Sequence, residues 1–223
     1  MDVLARIDEA RRQYNVLEHP FYQRWSAGEL SAEELGFYAG EYRHAVVALA
    51  SASEAAAAKA GPEHRAGLER HAAEERDHVA MWDEFAAAAA AAAAGAESGR
   101  EPLCETEGCV RAWVEGESLL EHLAVLYAVE ASQPAIAQTK LDGLLERYGY
   151  TPEGPAVEYF ELHAVLDVEH ARQARELIER LIGESDEAER SAQAERMVQR
   201  ATAALRGNWE LLDGVERHFV PVG

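Results

Sequence analysis

Proline is scarce in this chain, seven in 223 residues, and long stretches dominated by Ala, Glu, Arg and Leu run between the breaks. β-branched runs with a period of two are absent from the sequence. Residues of high helix propensity over such lengths predict an all-α fold.

The punctuation divides that fold into about seven helices in one domain spanning residues 1–223. A first helix is expected over 2–17, where Val3, Ile7, Ala10, Tyr14 and Leu17 form a stripe at spacings of three and four. His19-Pro20 breaks it, and a short turn over 21–25 ends at Ala27-Gly28. Ser31 and Glu34 make an S-x-x-E capping box for a second helix over 32–59, which Gly61-Pro62 stops. A third runs from 63 into a nine-alanine tract at 86–94 and ends at Gly95. Residues 96–108 read as a loop and 110–114 as a short helix. Ser118 and Glu121 form a second S-x-x-E, opening a long helix over 119–148 that Pro134 should bend. Pro155 suits the first turn of a helix over 156–182, and a last helix covers 187–216. No internal repeat or interdomain linker is evident, and heptads are not sustained.

Charge narrows the partners. Asp and Glu number 41 against 21 Lys and Arg, a formal net charge of −20. That excess argues against nucleic acid, which needs a basic face, and against an anionic membrane surface. No apolar run reaches the roughly 18 residues of a membrane span, and the charged, amphipathic start MDVLARIDEARRQYN is not a signal peptide. Cys104 and Cys109 are the only cysteines, too few for a disulfide framework, so a reducing cytoplasm is expected.

The informative residues are polar ones on faces that should be apolar. His163, Asp167 and His170 stand at i, i+4 and i+7, on one face with Tyr159 or Phe160, Ala174 and Leu177. Glu75 and His78 form an E-x-x-H on or beside the stripe of Leu68, Ala72, Val79, Trp82 and Phe85; Glu74 competes with Glu75 but follows the stripe less well. Glu130 is the only acid between His122 and Asp142, in so apolar a segment that it must be paired, protonated or metal-bound. Glu41 stands among aromatics before an apolar run, with Arg43 or His44 as an ordinary alternative partner. Glu41, Glu75, His78, Glu130, His163, Asp167 and His170 would suffice for two divalent metals. Carboxylate-bridged di-iron proteins are built this way, and hard oxygen donors with imidazole and no thiolate favour iron or manganese. The competing explanation is a hydrogen-bonded core network.

The order Glu, E-x-x-H, Glu, then H-x3-D-x2-H resembles the haem-oxygenase-like di-metal oxidases, which share their seven-helix fold with TenA and PqqC proteins. The resemblance runs from about residue 2 to 208. Within that superfamily, His19-Pro20-Phe21-Tyr22 and Trp25-Ser26-Ala27-Gly28-Glu29-Leu30 are similar to the opening of the CADD group. Those proteins are self-sacrificing para-aminobenzoate synthases. The resemblance implies an iron or iron–manganese pair, with dioxygen and an external reductant as co-substrates. It also implies Tyr22 as the sacrificed tyrosine, Tyr38 as a second active-site tyrosine and Lys140 as amino donor. The chain departs from the CADD pattern in the short spacing of Glu75 to His78 and in carrying Glu41. The family is compatible with a homodimer.

Other functions compete with this one. A conventional di-iron oxygenase acting on an external amine, amino acid or fatty acid would keep the seven ligands and make Tyr22 dispensable. A metal-free thiaminase-type hydrolase would need Cys104 or Cys109 in the pocket. A death-domain binding module has no sequence feature in its favour.

Overall fold

The computed structural model describes residues 2–93 and 101–219, and among them it contains nine α-helices and one 3-10 turn, with no strand. The helices are α1 (Val3–Gln13), α2 (Pro20–Ala27), α3 (Ala32–Lys59), α4 (Pro62–Ala92), α5 (Cys104–Val114), α6 (Leu119–Glu130), α7 (Gln133–Glu146), α8 (Pro155–Glu184) and α9 (Glu187–Phe219). The end of the alanine tract at Ala94-Gly95 and residues 96–100 lie outside the described residues.

Local chemistry explains most boundaries. Ser31 Oγ accepts from the Glu34 amide while Glu34 accepts from the Ser31 amide, so the capping box forms as expected. At Ser118 the reciprocal bond shifts: Glu121 accepts from the Glu117 amide, one residue upstream. Gly28 takes φ 74°, the left-handed conformation that closes α2. The helix expected over 2–17 stops at Gln13; Asn15 then caps a 3-10 turn over Val16–Glu18. His19, expected to break the first helix, caps α2 by accepting from the Phe21 amide and bonds Asp213 through its other nitrogen.

Two differences from expectation position the site. The helix expected over 119–148 is two helices, broken at Ala131-Ser132. Pro134 has no N–H to bond the Glu130 carbonyl four residues back, and its ring crowds that carbonyl. Glu130 thus becomes the last residue of α6. Arg11 covers the break by donating to the Ala131 carbonyl and to Ser132 Oγ. Secondly, α5 begins at Cys104, inside the expected loop. Its N-terminus has no side-chain cap of its own; Glu41 on α3 accepts from the Leu103 amide at 3.0 Å and from Thr106 Oγ1. A tertiary partner starts this helix, so no local pattern announces it.

The apolar residues form two cores. One gathers Phe21, Tyr22, Trp25, Tyr38, Tyr42, Trp82, Phe85 and Phe160, chiefly from α2, α3, α4 and α8. The other gathers Leu4, Ile7, Leu123, Tyr127, Ile178 and Met197 from α1, α6, α8 and α9. On α4, Leu68 belongs to the second core and Trp82 to the first; on α8, Phe160 belongs to the first and Ile178 to the second. Residues 71–78 and 163–170 therefore sit at the seam between them.

Close approach of α2 to α7 depends on Gly143, where a Cβ would meet Trp25 Nε1 at 2.4 Å, and Trp25 Nε1 donates to the Lys140 carbonyl. Gly143→Ala should destabilise by about 1–3 kcal/mol through overpacking. Gly40→Ala, in an exposed and open position of α3, should stabilise by up to about 1 kcal/mol. Urea unfolding of both variants checks the contrast.

Candidate metal centre

Helices α4 and α8 lie against each other and present the same spacing of donors. His71, Glu75 and His78 repeat the i, i+4, i+7 pattern of His163, Asp167 and His170. The His71 and His170 rings are 4.2 Å apart, and the His78 and His163 rings 4.4 Å. Low number thus meets high number, so the helices are antiparallel and an approximate two-fold axis passes between Glu75 and Asp167. The sequence does hold an internal repeat, an H-x3-[ED]-x2-H, and His71 is the residue that the E-x-x-H reading missed. Its signal was present at the right spacing, but an exposed-looking run of charged residues around it hid the pattern.

Two donor groups result. His71, Glu75, Glu130 and His170 offer one set of atoms, and Glu75, His78 and His163 a second, each within 4.8 Å of one another. Glu75 belongs to both, with Oε1 lying 3.3 Å from His78 Nδ1 and 3.6 Å from both His71 Nε2 and His170 Nδ1. Asp167 stands beside them, Oδ1 at 3.6 Å from His170 Nδ1. His71 is 9% exposed and the other six 5% or less.

Glu41 is not brought to this cluster. It is buried on α3 but turned toward α5, which it caps. The donor set is accordingly three carboxylates and four imidazoles, where four carboxylates and three imidazoles were expected. Glu74 is half-exposed and bonds His170 Nε2 from outside at 3.1 Å, so Glu75 is the inward residue of the pair.

The cluster's hydrogen bonding fits a cation. His71 Nε2, His78 Nδ1, His163 Nε2, His170 Nδ1, Glu75 Oε1 and both carboxylate oxygens of Glu130 and Asp167 are buried without a hydrogen-bond partner. These are nine of the 13 such side-chain atoms among the described residues. His71 Nε2 lies 2.9 Å from Glu130 Oε1; leaving the other seven atoms unpaired costs about 1–3 kcal/mol each, whereas metal ions would satisfy them together. The outer nitrogens are already held: His163 Nδ1 donates to the Tyr159 carbonyl at 2.6 Å and His170 Nε2 meets Glu74. Such contacts orient imidazoles toward a metal. Without an ion, charges press on one another. Burial, reinforced by Glu130 and Glu75, lifts Asp167 to about 7. Burial, with His78 adding to it, lowers His163 to about 4. Carboxylate and imidazole with no thiolate suit iron or manganese.

Next to the seam lies an aromatic cage. Lys140, 1% exposed on α7, places Nζ 4.4 Å from the ring centre of Tyr42, 5.2 Å from Trp82, 5.5 Å from Tyr38, 5.6 Å from Phe160 and 5.8 Å from Tyr22. The Tyr22 and Tyr38 hydroxyls are 3.4 Å apart. Burial alone brings Lys140 down to about 7, and burial above all pushes Tyr22 and Tyr38 well above their ordinary range. Tyr42, Trp82, Tyr159 and Phe160 are cage and bridge residues that the sequence showed only as apolar stripe. Cys104 is exposed, and Cys109 is buried in the same apolar core as Tyr42 with its thiol pushed up by burial.

Two outcomes follow. Anaerobic reconstitution of the full chain with iron should give about two ions per chain. His71→Ala should lose at least one of them and Glu41→Gln neither, as read by metal analysis. For metal-free protein, the unfolded chain holds a proton on Lys140 between pH about 7 and 10.5 that the folded chain does not. Lys140 therefore costs stability in full below pH 7, and that cost fades as pH rises to 10.5. At roughly 1.4 kcal/mol per tenfold in proton affinity, Lys140→Met should stabilise by up to about 5 kcal/mol at pH 7 and progressively less toward pH 10. A gain independent of pH would contradict the buried neutral amine.

Comparison with known proteins identifies the fold and the family. A solved TenA homologue from Pseudomonas syringae pv. tomato superposes with a TM-score of 0.78 at 18% identity, covering 96% of this chain and 91% of that one. A Shewanella denitrificans protein described as having a heme oxygenase-like fold gives 0.74 at 17%, covering 98% and 94%. The 4-aminobenzoate synthase of Chlamydia muridarum is 32% identical over 207 residues, 89% of this chain and 86% of that protein. The family model for iron-containing redox enzymes matches residues 30–206. With its all-α, haem-oxygenase-like fold, the chain belongs to the iron-containing redox enzyme family.

Proposed function

We propose that this protein is a dioxygen-dependent, dinuclear iron or iron–manganese oxidase. It forms 4-aminobenzoate from its own Tyr22, with Lys140 as nitrogen donor, once per chain. The observation that carries this reading is the cage: a fully buried lysine enclosed with Tyr22 and Tyr38 beside the cluster of His, Glu and Asp. The relative from Chlamydia muridarum named 4-aminobenzoate synthase supports the product.

His71, Glu75, Glu130 and His170 would hold one metal, and Glu75, His78 and His163 the other, with Asp167 beside both. When bound, the metals supply oxidation by dioxygen, with electrons from an external reductant. The protein's residues do the rest. Tyr38 holds the Tyr22 hydroxyl in place. The cage keeps water from Lys140, and at a pKa of about 7 much of it is a neutral amine near physiological pH, the form that can bond to carbon. No helix among the described residues is long and apolar enough to cross a membrane, and the cytoplasm supplies the reductant this reading needs.

The burial of the cage supports this reading over a conventional oxygenase, which would need space there for an external substrate. The test is to supply iron with or without manganese, dioxygen and reductant to the full chain carrying 15N-labelled lysine. The expected result is an intact-mass loss mapping to Tyr22 and labelled nitrogen in the 4-aminobenzoate, both absent in Tyr22→Phe and Lys140→Arg. Turnover with unchanged protein mass, surviving those substitutions, would instead establish a conventional oxygenase.

A further inference from the structure

The donors of the candidate centre are buried, so a cation from solvent needs a way in. Burial is uneven along the seam. At one end His71 and His170 are 9% and 5% exposed, and at the other His78 and His163 are 3% and 1%. Beyond His163 the way is shut by rings. Tyr159 stacks on it with centroids 3.9 Å apart and planes 22° from parallel, Trp82 meets Tyr159 at 5.0 Å, and the row continues from Trp82 to Tyr38 at 6.1 Å. The His71–His170 end is therefore the thinner wall.

One carboxylate stands at that wall. Glu74 is half-exposed on α4, and its Oε2 lies 3.1 Å from His170 Nε2 while its other oxygen carries no hydrogen bond. On the inner side of the same ring, His170 Nδ1 lies 3.6 Å from Glu75 Oε1. One imidazole thus spans from a surface carboxylate to the one shared by both donor groups. Among the described residues Glu74 pairs with no Arg or Lys. The neighbouring cations are turned elsewhere: Arg76 pairs with Glu54, Arg172 with Glu169 and Glu176, and the Arg70 guanidinium reaches back toward Gly67. A carboxylate free of cationic side chains keeps its field for ions arriving from solvent.

We propose that Glu74 is the port of the centre: a divalent cation binds first at its carboxylate and passes between His71 and His170 to Glu75. The proposal rests on reading the donor cluster as a metal centre. The hydrated ion exchanges its ligands one at a time. An oxygen of Glu74 replaces one water, then His170 Nδ1 and Glu75 Oε1 replace others, and Glu74 returns to His170 Nε2. No group is oxidised or reduced. With its Nε2 proton held on Glu74, His170 presents a bare Nδ1 to the ion. A carboxylate port suits the hard cations that the inner donors favour.

The test follows manganese(II) alone entering the full metal-free chain, by loss of the electron paramagnetic resonance signal of the free ion. The final metal content and the rate of release to a chelator are measured alongside. Glu74→Gln keeps an oxygen for the His170 N–H and loses only the charge; Glu74→Asp keeps the charge. Glu158→Gln removes an exposed charge from the first turn of α8 and serves as control. Glu74→Gln should load about three- to tenfold more slowly in dilute buffer, with the gap closing in about 0.5 M salt. Its final metal content should be unaltered, and its release should slow as well, because a port lowers the same barrier from both sides. Glu74→Asp and Glu158→Gln should load at close to the unaltered rate. Entry of Glu74→Gln at the unaltered rate with faster release would show that Glu74 only orients His170, and equal slowing in Glu158→Gln would reduce the effect to net charge. Either result overturns the port and leaves the metal centre standing. If the unaltered chain takes up no manganese, the port and the metal reading fail together.

Discussion

Seven donor residues confined between two apolar cores govern the arrangement of this protein. Glu75, Glu130 and Asp167 are buried facing four imidazoles, and apart from the 2.9 Å pair of Glu130 with His71 their inner atoms lack hydrogen bonds within the chain. Burying such groups unpaired is costly, and a carboxylate in that position either protonates or finds a cation. The surrounding architecture tolerates this because each donor is fixed from outside. Pro134 ends α6 just after Glu130, Arg11 closes the gap, and Tyr159 and Glu74 hold the outer nitrogens of His163 and His170.

The cage around Lys140 depends on the same economy of burial. An isolated ammonium in the protein interior is disfavoured, and here burial lowers its proton affinity without any carboxylate among the causes. A site that served stability alone would place Met or Leu at this position. The lysine instead shares its surroundings with two tyrosines whose hydroxyls touch, one packing step from the aromatic row that leads to His163. Donor cluster, aromatic row and cage form one continuous interior.

Much of this was legible in the residues. Helical spacing alone turned Glu75, His78, His163, Asp167 and His170 inward, because i, i+4 and i+7 share a face wherever the helix is placed. The resemblance to CADD proteins added Tyr22, Tyr38 and Lys140, and the fold brings those three together. Helix α3 matched its expected bounds because Ser31 and Glu34 settle its start by bonding each other. Less legible was whatever needed a distant partner. Helix α5 starts where Glu41 reaches it from α3, and the pairing of His71 with His170 exists only because α4 and α8 run antiparallel.

The sequence by itself determined that the chain is helical and that imidazoles and carboxylates point to its interior. Periodicity identifies which residues share a face but not which faces meet. The tertiary structure decided that His71 joins the cluster and Glu41 leaves it, that Glu75 is central to both donor groups, and that Tyr159 and Trp82 span the distance to Lys140. Each of these is a matter of packing between helices far apart in the chain, where the burial of apolar faces fixes the polar atoms that must follow them.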